Sequence, residues 1–232
     1  MYKYLFFDAD GTLFDFSEAE NRAFYQMTAK LGFEATHEHL QTYKACNEAC
    51  WKAFERFEIT QETLKVKRFE DFFASETLDL DPALACRTYQ GYLSQQGILY
   101  KESRPLLEEL IERGYTLYLA SNGIAEVQRG RIKQSQTGKY FKDIFISEEI
   151  GAQKPDARFF SVMLERTDLE AKKSECLMIG DSLTSDIQGA LSYGLDTLWL
   201  NMEGMYKNNT TAKPTYERHS LSEMLDLFSS LH

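Results

Sequence analysis

The chain has 232 residues, of which 43% are hydrophobic and 27% charged, and its net charge is -10. That length holds one sizeable domain, or a domain with a smaller module, and the balance is that of a globular chain rather than a disordered one. No basic stripe stands out for gripping a nucleic-acid backbone, so any anion chemistry must rest on a few local donors and a metal ion.

The apolar run Tyr4–Phe7 meets Asp8 at once. It predicts a short buried parallel strand, and it is too short for a signal peptide. No stretch reaches the apolar length of a membrane span, so the expectation is a cytoplasmic protein with no membrane and no nucleic-acid partner. From about Ser17 to Gln96 the pattern is helical throughout. Ser17 with Glu20 reads as a capping box, and Asp81 before Pro82 as an N-cap followed by a first-turn proline. Leu64, Phe69, Phe72 and Phe73 recur along one helical face. Strand and helix patterns alternate thereafter. Predicted strands lie at Tyr115–Ala120, Asp143–Ile146, Cys176–Ile179 and Thr197–Leu200. Leu106, Leu107, Leu110 and Ile111 precede the first of these at helical spacing, and Phe159, Phe160, Met163 and Leu164 precede the third. Ser220 with Glu223 caps a last helix. This alternation predicts an α/β chain: a Rossmann-like parallel-sheet core at 1–15 and 97–232, interrupted by an all-helical insert at 16–96.

The cysteines Cys46, Cys50, Cys86 and Cys176 form no CxxC pair and read as small buried side chains. His37 and His39 lack metal-ligand partners at suitable spacing and read as solvated residues at a helix start.

Chemistry-bearing residues follow the predicted strands, where an open α/β sheet binds its ligands. Asp8-Ala9-Asp10-Gly11-Thr12 offers two carboxylates, one suited to attack and one to proton transfer, with Gly11 permitting a tight turn. Ser121-Asn122-Gly123 offers a hydroxyl and backbone N–H groups to a phosphate. Lys154, before Pro155, offers a cation to an anionic intermediate. Gly180-Asp181, with Asp186 five residues on, offers hard oxygen ligands to magnesium, although Asp186 also fits a helix cap.

In this order and on this framework, the segments resemble the four signature motifs of the haloacid dehalogenase superfamily, with the helical insert matching that superfamily's cap. The resemblance implies a magnesium-dependent phosphomonoester hydrolase working through an aspartyl-phosphate. It implies Asp8 as nucleophile and metal ligand, and Asp10 as general acid and base with its carbonyl on the metal. Ser121 and the Asn122 amide would hold the phosphoryl group, and Lys154 would bridge nucleophile and phosphate. Asp181 would bind the metal, and Asp186 would bind it through water or orient Asp181. The second acid, Asp10, favours phosphate-ester hydrolysis over dehalogenase or phosphonatase chemistry.

Within the superfamily, FFDADGTLFDF, Tyr43-Lys44-Ala45-Cys46-Asn47 leading to Trp51, ISEEIGAQKPD and Trp199-Leu200-Asn201 are similar to the YjjG-type pyrimidine 5'-nucleotidases. That likeness implies a nucleoside monophosphate substrate, with Asn47, Trp51 or Lys52 meeting the base. Trp51 reads equally well as part of the insert's own core. A phosphatase for a sugar phosphate or phosphoglycolate, a phosphomutase, and a non-enzymatic phospho-acceptor signalling module are the alternatives.

Overall fold

The computed structural model describes residues 2–202, 204 and 212–230. Strand β1 (Tyr4–Phe7) leads into helices α1 (Phe16–Lys30), α2 (His37–Glu55), α3 (Gln61–Glu76) and α4 (Pro82–Leu93). The chain continues through α5 (Ser103–Glu112), β2 (Thr116–Ser121), α6 (Ala125–Ser135), β3 (Asp143–Ile146), α7 (Ser147–Ile150) and α8 (Ala157–Arg166). It ends with β4 (Cys176–Gly180), α9 (Gly189–Tyr193), β5 (Asp196–Leu200), β6 (Tyr216–Arg218) and α10 (Leu221–Ser230). A π-helical turn at Leu183–Gln188 runs directly into α9.

Two compact units result. One comprises 1–16, 98–125 and 135–232; the other comprises 17–97 together with 126–134. The second therefore takes most of α6, a helix that sequence periodicity alone left in the core. Inside it, Gly130 of α6 lies so close to Ser94 that an added Cβ would sit 2.6 Å from the Ser94 carbonyl oxygen. Arg131 Nε donates to the Gln96 carbonyl at 3.1 Å.

The sheet of the first unit has the order β3-β2-β1-β4-β5-β6, and all its pairings are parallel. β1 is central because its apolar residues are buried on both faces, with Leu5, Phe6 and Phe7 fully covered. Phe6 packs with Tyr118, Phe145, Met178 and the α8 residues Phe159, Phe160, Met163 and Leu164. The pleat turns Leu5 and Phe7 the other way. α5 packs against β2 and α10 against α5. The step from β1 to β2 runs in one direction along the sheet and the step from β4 to β5 in the other. β1 and β4 therefore flank the point where strand order reverses, the position at which such sheets open a crevice at their carboxyl ends.

In the helical unit, α2 packs on α3 and α3 on α4. Its core is aromatic: Tyr43 stacks on Phe24 at 5.1 Å and on Phe69 at 5.3 Å, and Phe72 meets Phe24 edge-on at 5.6 Å. The expected caps at Asp81 and Ser220 are present, accepting from Ala83 N at 2.9 Å and Glu223 N at 3.1 Å. Thr36 caps α2 reciprocally with His39, which accounts for that histidine at the helix start. The box expected at Ser17 and Glu20 does not form. α1 begins at Phe16, so Ser17 already lies inside the helix, and Glu20 turns inward to accept from the Asn47 amide at 2.8 Å. β6 was not anticipated, because its three residues are Tyr-Glu-Arg, without an apolar run, on the sheet's edge.

Phe72→Ala empties a fully buried site in the aromatic core and should cost about 3–5 kcal/mol in urea unfolding, whereas Ile111→Ala, at an exposed position, should stay within about 0.5 kcal/mol. Equal losses at the two sites would mean that the helical unit is not held by its aromatic core.

Candidate active site

Each chemistry-bearing segment of the core unit follows the carboxyl end of a strand. Asp8 directly follows β1, and its N–H donates to the Ile179 carbonyl at 2.8 Å, so it is set by the ladder between β1 and β4. Beyond it the chain folds back on itself: Leu13 N donates to Ala9 O at 2.9 Å and Gly11 N to Phe14 O at 3.1 Å. Gly11 takes a φ of +77°, and a Cβ there would collide with the Asp181 carboxylate. Glycine thus serves twice at that position, in turning the chain and in letting Asp181 approach. Thr12 Oγ1 donates to Asp181 Oδ1 at 3.2 Å.

Lys154 is the centre of the arrangement and is 1% exposed. Its ammonium donates to Asp8 Oδ1 at 2.7 Å, Asp186 Oδ1 at 2.6 Å and the Ala120 carbonyl at 2.6 Å. These use all of its donors. Its backbone is clamped by Asn122, whose Oδ1 accepts from Lys154 N and whose Nδ2 donates to Lys154 O, both at 2.8 Å. The Asn122 side chain therefore positions Lys154. Ser121 is buried at the end of β2, and its Oγ accepts from Gly123 N at 3.0 Å.

Asp186 is not a helix cap. Ser182 fills that position and accepts from Ser185 N at 3.2 Å. Asp186 instead points inward from the π-helical turn, 1% exposed, and accepts from Ser182 N at 3.1 Å as well as from Lys154. A Cβ on Gly180 would collide with its carboxylate, so a glycine is required there. Trp199 Nε1 donates to the Asp181 carbonyl at 2.8 Å and fixes the start of that loop.

The electrostatics show a cluster short of positive charge. Burial pushes the Asp8 carboxyl up to about 7, against the opposing pull of Lys154 and with further upward pressure from Asp186 and Asp10. Burial, followed by Asp8 and Asp186, holds Asp181 well above the usual carboxylate range. The two carboxylates beside it raise Lys154 above an ordinary lysine although burial opposes this. Asp8, Asp181 and Asp186 each offer an oxygen, and these lie within 4.8 Å of one another. Hard oxygen donors gathered around one point, with too little countercharge, suit a divalent cation such as magnesium.

The core candidates thus cluster, and the insert candidates belong to the helical unit. Asn47 is buried in the helical unit, donating to Glu20 and accepting from Arg68 Nη1 at 3.1 Å. Trp51 packs, as Ile59 does, against the cluster of Cys50, Phe54 and Leu64. Lys52 is exposed and paired with Glu48 one helical turn away. Sequence reasoning quoted Thr12 and Gly180 within their motifs without giving either a role, and it did not single out the Ala120 carbonyl or Ser182. Gly180 carried a signal, a glycine between a buried strand and an acid; the carbonyl carried none.

Known proteins match this architecture. The family of haloacid dehalogenase-like hydrolases matches residues 2–194. The pyrimidine 5'-nucleotidase PynA of Streptococcus pneumoniae is 41% identical over 225 residues, 97% of this chain and 94% of its own length. The pyrimidine 5'-nucleotidase YjjG of Escherichia coli is 30% identical, covering 97% of this chain and 96% of its own. Among solved structures, the HAD-hydrolase YfnB of Bacillus subtilis, bound to magnesium, superposes with a TM-score of 0.89 at 32% identity, over 98% of this chain and 99% of that one. With its strand-end acids gathered around a buried lysine and its match spanning most of the sequence, the chain belongs to the haloacid dehalogenase-like hydrolase family.

Proposed function

We propose that this hydrolase cleaves nucleoside 5'-monophosphates, pyrimidine ones in particular, by passing the phosphoryl group through Asp8. The observation that supports this best is the Lys154 ammonium, held at once on Asp8 and Asp186 at the strand-order reversal. The likeness to two pyrimidine 5'-nucleotidases over nearly the full chain supports the substrate class. Membership in a hydrolase family sets aside the phospho-acceptor module. No helix among the described residues is long and apolar enough to cross a membrane, and we place the enzyme in the cytoplasm, acting on a small phosphate ester.

The chain's own residues account for the steps. Lys154 holds Asp8 Oδ1, which leaves Oδ2 to attack phosphorus. As the new P–O bond forms, the ester P–O bond breaks, and its electron pair goes to the leaving oxygen, which takes a proton from Asp10. Asp10, now a carboxylate, takes a proton from water as that water attacks phosphorus. The bond to Asp8 then breaks, releasing inorganic phosphate and restoring both acids. Ser121 and the Asn122 backbone N–H hold the phosphoryl oxygens, and Lys154 offsets their charge. Asp8, Asp181 and Asp186, with the Asp10 carbonyl, would hold Mg2+, which supplies positive charge that lets an anionic carboxylate approach an anionic ester.

Asp8→Asn should abolish turnover with the fold retained, since an amide cannot form the acyl phosphate. Asp10→Asn should slow turnover by about 10²- to 10⁴-fold, most severely for esters with poor leaving groups. Substantial activity in contamination-free Asp8→Asn would remove Asp8 as nucleophile. Stripping divalent ions with chelator should remove activity and added Mg2+ restore it; full activity in excess chelator would contradict the metal assignment. In a panel of phosphate esters, dUMP and dTMP should exceed sugar phosphates and phosphoglycolate in kcat/KM. The reverse order would defeat the nucleotidase reading and leave the phosphatase chemistry standing.

A further inference from the structure

Mg2+ demands near-ideal octahedral geometry at roughly 2.0–2.1 Å, so its ligands must be held in place as well as present. Asp8 is held by the ladder between β1 and β4. Asp181 and Asp186 lie beyond the end of β4, one just before the π-helical turn and one within it. A side chain of the neighbouring strand touches both ends of that segment. Trp199, fully buried on β5, is the register partner of Gly180, the residue before Asp181. Its Nε1 donates to the Asp181 carbonyl at 2.8 Å. Its ring forms a cluster with Ile187 and Ala212, and Leu183 and Leu191 pack against that cluster. Leu183 and Ile187 belong to the π-helical turn, and Leu191 belongs to α9 behind it.

The polar edge of the indole thus meets the backbone of the first acid, and its apolar surface meets the turn that carries the second. Ile187 directly follows Asp186 in that turn. One packs on Trp199 while the other accepts from Lys154 at 2.6 Å. The far side of the turn is close-set too. At Gly189 an added Cβ would sit 2.9 Å from the Pro155 Cα. The turn is wedged between β5 and the segment that bears Lys154. Packing alone would be served by any apolar side chain of this size. An indole adds an N–H that needs an acceptor once buried, and the Asp181 carbonyl supplies it.

We propose that Trp199 is a positioning residue for the metal site, setting the spacing of Asp181 and Asp186 to suit Mg2+. It acts through the Asp181 backbone and through the turn that bears Asp186. Ca2+ accepts a more flexible shell at roughly 2.3–2.6 Å, so a loosened segment penalises Mg2+ more than Ca2+. The inference rests on Asp8, Asp181 and Asp186 as the metal site and extends that assignment to a residue outside it.

The test is calorimetric titration of Mg2+ and of Ca2+ into protein stripped of divalent ions. Trp199→Phe keeps an aromatic ring and removes the N–H. It should weaken Mg2+ binding by about 10- to 100-fold and Ca2+ binding by a clearly smaller factor. Leu183→Ala, at a half-buried position, loosens the same turn and should weaken Mg2+ binding in the same direction. It decides alone if Trp199→Phe does not fold. Met224→Ala, fully buried on α10, should lower the melting temperature and leave Mg2+ affinity where it is. If Asp181→Asn binds Mg2+ as the wild type does, the metal assignment fails and the proposal with it. If Asp181→Asn loses Mg2+ while Trp199→Phe and Leu183→Ala stay within about twofold of wild type, the proposal fails and the metal site stands. Equal losses of Mg2+ and Ca2+ in Trp199→Phe, or a matching Mg2+ loss in Met224→Ala, would make the effect one of general stability and overturn the proposal.

Discussion

A lysine ammonium buried among carboxylates is the constraint on which the core unit depends. Lys154 is almost without solvent, so its charge survives only because Asp8, Asp186 and the Ala120 carbonyl take all of its donors. The carboxylates depend on it in turn, since Asp8 and Asp186 share that one ammonium. The surrounding backbone serves this arrangement. Asn122 clamps Lys154 on both sides, Gly180 makes room for Asp186, and Gly11 makes room for Asp181. The strand order sets β2 between β3 and β1, so the segment after β3 can bring Lys154 to Asp8, 146 positions away.

The helical unit repeats the theme with different chemistry. There a buried guanidinium is balanced through an amide that ends on a single carboxylate, Glu20. Both units keep a costly buried cation, and in both the cation orients acids. In the core the acids face phosphoryl chemistry, where charge changes during the reaction. In the helical unit the acid is itself buried, and its bond to Asn47 ties α1 to α2.

Much of the core was legible because burial on both faces of a parallel sheet leaves short apolar runs. Among the described residues, five of the six strands coincide with such runs to within a residue at each end, and the runs at Tyr4–Phe7 and Asp143–Ile146 coincide outright. β6 escaped because an edge strand of Tyr-Glu-Arg needs no apolar face. The acids of the site were legible because each follows a strand. Lys154 and Asp186 were named as well, but their contact was not, since it forms through a π-helical turn that spacing does not reveal. Ser17 and Glu20 misled for a related reason: the capping pattern was real as letters, but the helix had already begun at Phe16, and Glu20 found a buried partner 27 positions away. Asn47 and Trp51 were picked out as residues that could meet a base. The fold puts Asn47 within a buried relay and Trp51 against an apolar cluster, a distinction that depends on tertiary packing.

The central claim is that phosphorus passes through the Asp8 carboxylate. It is tested most directly by acid-quenching the wild-type enzyme during turnover, digesting it at low pH and locating the phosphoryl group by mass spectrometry. The account predicts a phosphoryl adduct on Asp8 that disappears when substrate is exhausted. An adduct on Asp10 or another side chain, or none at any quench time while product still forms in a burst, would contradict it.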